Sequence, residues 1–310
     1  VDQDSANGSR EDDKGHGHGH GRGLGLAALT ITVLIWSSTF VVSHDVLTDM
    51  GPATLTFARF AIGLCFLLPF GMARGLTFRA LFRRSYMFYG LTGVALYYGL
   101  QNLGLRYTTP DSAALLQAGL PLLTVGLGVL WLGESFDRLQ VVGLGLSVVG
   151  MVLVVQHGGG VGQAGDVAIL GGVGAYAVYT AYVRRTAVES DSAVTACASA
   201  VWGLVFLTPW FVGETIADGL RPIPWRAVPP LLYLGAVASG LTLLLWSFAL
   251  RRVPASVAGA FTGAIPAAGY AVALLTGSAL VWTRLAGGAV ALTGVAIASL
   301  TRGSRGGTDV

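Results

Sequence analysis

Arg59 is the residue whose type and place in this sequence ask for chemistry. It follows Pro52 by seven residues inside an apolar run, about 10 Å from the start of that run at helical rise. A cation in hydrocarbon costs at least ~2.5 kcal/mol and usually faces the interior of a helix bundle. Asp45, Asp49, Asp111, Glu134 and Asp166 all fall at the ends of apolar runs, so none is a deep partner for it. Two readings stay open. Arg59 can grip a solute carboxylate with its forked guanidinium, or it can snorkel to the near interface or tie to carbonyls and Asp111. Aromatic side chains recur at similar depth: Trp36, Tyr98, Tyr176, Tyr179 and Trp202, with Ser38 and Asn102 among them. Such rings suit amphipathic solutes and cations; each alone is equally a core packer. Gln117 and Thr262 stand four residues before Pro121 and Pro266. A proline removes one ladder bond and leaves that earlier carbonyl free, which places both at a solute cavity, with a packing kink as the alternative.

Other chemistry is missing. The apolar runs hold no paired carboxylates, histidine cluster or nucleophile with a base, and His44 and His157 stand alone at run ends. That excludes an enzyme and calls for no cofactor. Without a deep carboxylate a proton antiporter lacks its carrier, so uniport or exchange is expected. His16, His18 and His20 alternate with glycine; such a tract can hold a soft divalent metal or be a solvated low-complexity tail. Cys65 and Cys197 both lie in apolar runs and read as small core residues.

The elements that must position these residues are membrane spans. Of 310 residues 53% are hydrophobic and 11% charged, and the mean hydropathy is +0.66. Soluble domains carry roughly 25% charged residues. The expected fold is therefore all-α, in contact with a lipid bilayer, with ten transmembrane helices at about 24–43, 52–71, 86–104, 111–132, 139–156, 166–184, 192–212, 227–249, 255–276 and 285–301. Residues 1–23 and 302–310 are polar tails, the first expected to be disordered, and 157–165 is a Gly-rich linker. Fourteen of the 19 Lys and Arg fall in the tails, in loops 72–85, 133–138, 185–191 and 250–254, or, for Arg184, at the span end bordering one of them. Positive residues mark the cytoplasm, so both termini are expected there, at the plasma membrane. The scattered arginines form no surface for nucleic acid.

The chain repeats itself. Gly63-Leu64-Cys65-Phe66-Leu67-Leu68-Pro69 returns as Gly203-Leu204-Val205-Phe206-Leu207-Thr208-Pro209, 140 residues on. At a spacing of 144 follow Tyr89/Tyr233, Pro110/Pro254, Ser112/Ser256, Gly119/Gly263, Gly143/Gly287 and Gly150/Gly294. Five spans per copy is an odd number, so residues 166–301 must enter the membrane opposite to residues 24–156. Such inverted halves hold a small-molecule solute near the midplane between them. The fifth and tenth spans, small-residue and nearly apolar throughout, suit scaffold or homodimer contacts.

These motifs carry a resemblance. Trp36-Ser37-Ser38-Thr39-Phe40, Pro52 with Arg59-Phe60, Pro110 through Ala113-Ala114-Leu115-Leu116, Pro121, Leu132-Gly133-Glu134 and Gly165-Asp166 are similar in order and spacing to the drug/metabolite transporter superfamily, in its ten-helix form with two EamA repeats. The resemblance implies an alternating-access carrier, exporting amino acids or related metabolites, or alternatively cationic or neutral amphipathic drugs. It departs from the family at Gly277-Ser278, where Gly-Glu is common.

Overall fold

The computed structural model describes residues 8–132, 138–155, 159–186, 191–219, 222–250, 252–253 and 261–300. Every regular element among them is helical. In order they are α1 (Gly8–Val46), α2 (Pro52–Ala73), α3 (Phe78–Leu81), α4 (Arg84–Tyr89), α5 (Tyr97–Leu105), α6 (Pro110–Leu116), α7 (Gly119–Leu132), α8 (Arg138–Val155), α9 (Gly159–Thr186), α10 (Ser192–Asp218), α11 (Val228–Leu232), α12 (Thr242–Leu250), α13 (Ile265–Leu275) and α14 (Trp282–Leu300). Among the described residues, five helical segments are long and apolar enough to cross a bilayer: Gly21–Val46, Pro52–Ala73, Gln163–Val183, Ser192–Asp218 and Trp225–Ala249. Helical backbone begins at Gly8, inside the stretch read as a disordered tail. Glu134, Pro254 and Ser256 lie outside the described residues, as do the side chains of His16, His18 and His20.

Two of the helical segments are not plain α-helix. Each carries a π-helical stretch, π1 (Gly90–Leu96) between α4 and α5, and π2 (Tyr233–Leu241) between α11 and α12. The two lie 143 to 145 residues apart, at the same place in each copy. A π turn widens the helix and occurs chiefly at functional positions. The widened turns receive a neighbour. A Cβ on Gly63 of α2 would meet the Gly235 carbonyl at 3.1 Å, and one on Gly90 would fall 2.7 Å from the Gly203 amide of α10.

Packing is reciprocal between the halves. α2 packs on π2 while α10 packs on π1; α1 packs on α12 and α13 while α9 packs on α5 and α7. The one large cluster joins Phe40, Leu55, Leu105, Leu116, Ile169, Leu234 and Tyr270 from both halves. α8 and α14, where the fifth and tenth spans were expected, lie against each other. The Ser147 hydroxyl donates to the Ala291 carbonyl at 3.1 Å, between residues 144 apart. Gly150 sits on Gly287, and Gly294 on Gly143. The small faces that suited a homodimer are thus used within the chain. Cys65 is a correction of another kind: it is exposed, while Cys197 is buried and directs its thiol at the Leu67 carbonyl, 3.4 Å away.

The helix breaks at Pro121 and Pro266 differ from expectation. α6 ends in a turn at Gln117–Ala118, and Pro121 is the third residue of α7, with Pro266 the second of α13. A proline in a first turn removes no ladder bond, because that N–H has no intrahelical partner. The Gln117 carbonyl is accordingly engaged, accepting from the Leu120 amide at 3.0 Å.

One cap was not read from sequence. The Glu214 carboxylate of α10 accepts from the Ala53 amide (3.0 Å), the Thr54 amide (2.8 Å) and the Thr54 hydroxyl (2.7 Å). It serves the N-terminus of α2, where Gly51 brings no side chain. A Cβ on Gly51 would overlap that carboxylate. Glu214→Ala is expected to lower stability by about 1 kcal/mol, the usual worth of a helix cap, and Gly51→Ala to lower the melting temperature by displacing it. Gly150→Val is expected to abolish monodisperse folded protein in size-exclusion chromatography, whereas Gly145→Ala, with open space around it, leaves the profile unchanged.

Candidate functional site

Arg59 leaves α2 on its inner face, and its side chain is 1% exposed. Its Nε donates to the Ser239 hydroxyl of π2 at 2.8 Å. Ser239 in turn donates to the Leu234 carbonyl five residues earlier, at 2.9 Å, a reach matched to the π turn. The guanidinium carbon stands 4.6 Å from the centre of the Tyr98 ring and 5.9 Å from Phe60. Nη1 has no hydrogen-bond partner. Neither snorkelling nor a tie to Asp111 describes this side chain. Asp111 is instead paired with Arg284, at 3.0 Å.

From Tyr98 a row of tyrosines crosses to the other half. Ring centres run Tyr98–Tyr97 at 4.5 Å, Tyr97–Tyr176 at 4.6 Å, Tyr176–Tyr179 at 5.1 Å and Tyr179–Tyr89 at 5.5 Å. The Tyr97 hydroxyl donates to Gln117 Oε1 at 3.2 Å, and Gln117 Nε2 is buried without a partner. One turn from Arg59 and Tyr98, Asn102 Nδ2 donates to the Thr56 hydroxyl at 2.9 Å, and Asn102 Oδ1 is unpartnered. So is Gln101 Oε1 beside it. Buried polar atoms nearly always have partners. Here donors and acceptors of both kinds are left over within a few turns of one arginine.

The structure therefore gathers Arg59, Tyr98, Asn102, Gln117, Tyr176 and Tyr179. Ser38 joins at the edge, sharing a 2.6 Å hydrogen bond with the hydroxyl of Tyr233, which also faces Arg59. Trp36 packs on Trp246 at 5.6 Å and donates to the Thr242 hydroxyl at 3.1 Å, on the side of α1 facing α12. Trp202 packs at the far end of the row, in the cluster that holds Tyr89 and Tyr179. Its Nε1 donates to the Leu81 carbonyl at 2.7 Å, and its ring packs on Phe82 and Phe206. Thr262 follows Phe261, which packs with Leu29 and Ala249. Ser239, Tyr233 and Tyr97 belong to the site and were missed. Tyr233 had a signal, its match to Tyr89 at the repeat spacing; Ser239 had none, since only the π turn brings it across.

Two cavities indent one end of the bundle. The first, about 310 Å³, is lined by residues of the 47–51 turn, Thr54, Arg106, Glu214, Asp218, Gly219, Pro222 and Ile223. The second, about 300 Å³, lies among His44, Asp45, Asp111, Arg284 and the 276–279 turn. The Tyr97–Tyr176 row between the halves is packed ring on ring.

The outward faces are apolar: Leu34, Val142, Val149, Val205 and Leu232 are all exposed. Polar side chains turned inward and greasy ones outward place the chain in a bilayer, as a multi-pass membrane protein. The model of the EamA-like transporter family matches residues 23–156 and again 163–300, so the chain belongs to that family. It is a transporter and not an enzyme. A protein of Streptantibioticus cattleyicolor named "Probable terminal-alkyne amino-acid exporter" is 27% identical over 274 residues, 85% of this chain and 89% of the relative. A Salmonella typhimurium protein named "Probable amino-acid metabolite efflux pump" is 24% identical over 278 residues, 86% and 91% of the two chains. A solved crystal structure at 20% identity superimposes with a TM-score of 0.64 over 93% of this chain and 99% of that one, a likeness of fold alone.

Arg59→Met, of similar length, is expected to leave the melting temperature unchanged or raised. Removing a buried charge that lacks a counter-ion relieves its desolvation, and apolar replacements of buried ions are often neutral or stabilising. An arginine held for structure would instead lose several degrees on that change.

Proposed function

We propose that this chain exports amino acids or closely related small metabolites, by alternating access between two inverted halves of five spans each, with both termini in the cytoplasm. The observation that carries the substrate class is Arg59: wholly buried, one nitrogen unpartnered, and without a carboxylate beside it among the described residues. A solute carboxylate supplies the missing charge, and a planar fork is suited to take it bidentately. The unpartnered oxygens of Asn102 and Gln101 suit an ammonium group. The printed names of two relatives agree with that class.

Inversion is supported by the reciprocal contacts. Gly150 on Gly287 and Gly294 on Gly143 exchange partners across Ser147 and Ala291, the pattern of a two-fold relation. One helix rises as the other falls, so the axis crosses them, as it must if it lies in the membrane plane. The cavity linings agree: segments following the first and third spans of one half meet segments following the second and fourth of the other. That end carries few arginines, which supports cytoplasmic termini at the opposite end.

Efflux of cationic drugs fits less well, because an uncompensated guanidinium stands 4.6 Å from the Tyr98 end of the tyrosine row. Neutral amphipathic compounds remain the second reading, carried by that row.

The test is exchange of radiolabelled L-amino acids in proteoliposomes. Competition by the parent amino acid but not by its amide is expected. Arg59→Gln should raise KM about 30-fold or more, the equivalent of the ~2 kcal/mol lost when a buried charge pair is broken. Equal competition by acid and amide, or an unchanged KM, overturns the assignment.

A further inference from the structure

Asp166, in α9, takes no part in the solute site and is 0% exposed. Its Oδ1 accepts hydrogen bonds from Thr108 Oγ1 at 2.6 Å and Ser112 Oγ at 2.8 Å. Its Oδ2 is buried with no partner. Among the described residues, the charged groups that face it are Asp111 of α6 and Arg284 of α14. Tyr270 of α13 stands beyond them, against Asp111 and Arg284. Arg284 is engaged through Nη1, which donates to Asp111 Oδ2 at 3.0 Å and to Thr109 Oγ1 at 2.9 Å, while its Nε is buried without a hydrogen-bond partner. The second cavity opens onto Asp111 and Arg284, with His44 and Asp45 of α1 on its wall.

Two buried carboxyl groups thus share one guanidinium. With both ionised the cluster carries an uncompensated negative charge, and a buried unpaired charge takes up a proton in preference to staying bare. A bound metal ion would need several oxygen ligands. No group of three or more His, Cys, Asp or Glu side chains gathers among the described residues. A single free carboxyl oxygen matches the demand of a proton. The two hydroxyls that bind Oδ1 stabilise the ionised form, so the group can release what it takes up.

We propose that Asp166 is the site of a coupling proton, reached through the cavity at Asp111 and Arg284. The step is Asp166–COO⁻ + H⁺ ⇌ Asp166–COOH, with the proton supplied and removed by water and no other bond changed. It replaces the expectation of uniport or simple exchange. The inference rests on the chain being a carrier, and the experiment separates the two.

The full chain is reconstituted in lipid vesicles and examined by infrared difference spectroscopy between acid and alkaline buffer, in H₂O and in D₂O. A titrating carboxylic-acid carbonyl band that shifts in D₂O is expected in the wild type, lost in Asp166→Asn and kept in Asp166→Glu. In parallel, vesicles with the membrane potential clamped at zero are given a pH step and whichever of twenty labelled amino acids the wild type moves. About tenfold accumulation per pH unit is expected for one proton per solute, lost in Asp166→Asn while counterflow exchange persists. An infrared band that is absent, or unchanged in Asp166→Asn, overturns the proposal, as does undiminished pH-driven accumulation in that variant. If the wild type moves no amino acid, the exporter reading fails, and the infrared result still decides whether Asp166 takes the proton.

Discussion

Close approach of a helix to a widened helix underlies this structure. Gly63 on α2 and Gly203 on α10 have no side chain to hold the neighbour away, so each second span settles onto the π stretch of the opposite repeat. In a bilayer this matters more than in water. Lipid offers no hydrophobic drive between helices, and association rests on packing that small residues permit. A π turn also redirects backbone and side chains. Ser239 bonds its own helix at a five-residue reach and still presents its hydroxyl to Arg59 across the seam.

The charged residues then fall into two kinds. Arg284 with Asp111, and Glu214 with the amides of Ala53 and Thr54, are paired with opposite charge or with helix amides and tie helix ends together, with Arg284 Nε the one atom of these left over. Arg74 with Asp191 is largely exposed at 53% and 24%, where ion pairs add little. Arg59 and Asp166 are buried with atoms to spare. An incomplete network in low dielectric is costly, so it persists where it has something to bind. The first lacks an anion and the second a cation, and on that difference rest the two proposals, a solute site at Arg59 and a separate proton site at Asp166.

The tyrosine row ties these regions to the seam. Tyr97 and Tyr98 belong to one repeat, Tyr176 and Tyr179 to the other, and their rings meet edge to face or tilted, geometries that favour attraction between rings. Packed as they are, they close the path between the halves beyond Arg59. An alternating-access cycle would have to part Tyr97 from Tyr176, the link that crosses from repeat to repeat.

Much of this was legible in the amino-acid order. Low charge and long apolar runs demand a membrane bundle, because nothing else hides so much hydrocarbon, and the echo of Gly63–Pro69 at Gly203–Pro209 exposes the duplication. Arg59 was visible because an isolated charge in an apolar run is conspicuous at any resolution of reading. What distance in sequence conceals is who meets whom. Trp202 looked deep enough for the site and instead bonds Leu81; Gln117 was singled out for a carbonyl that Leu120 occupies, and contributes its amide instead. Asp166 looked like an end-of-helix acid. Only the packing of α5 and α6 against α9 removes it from water and leaves half its carboxyl group unanswered, because burial and pairing are properties of neighbours brought together in space.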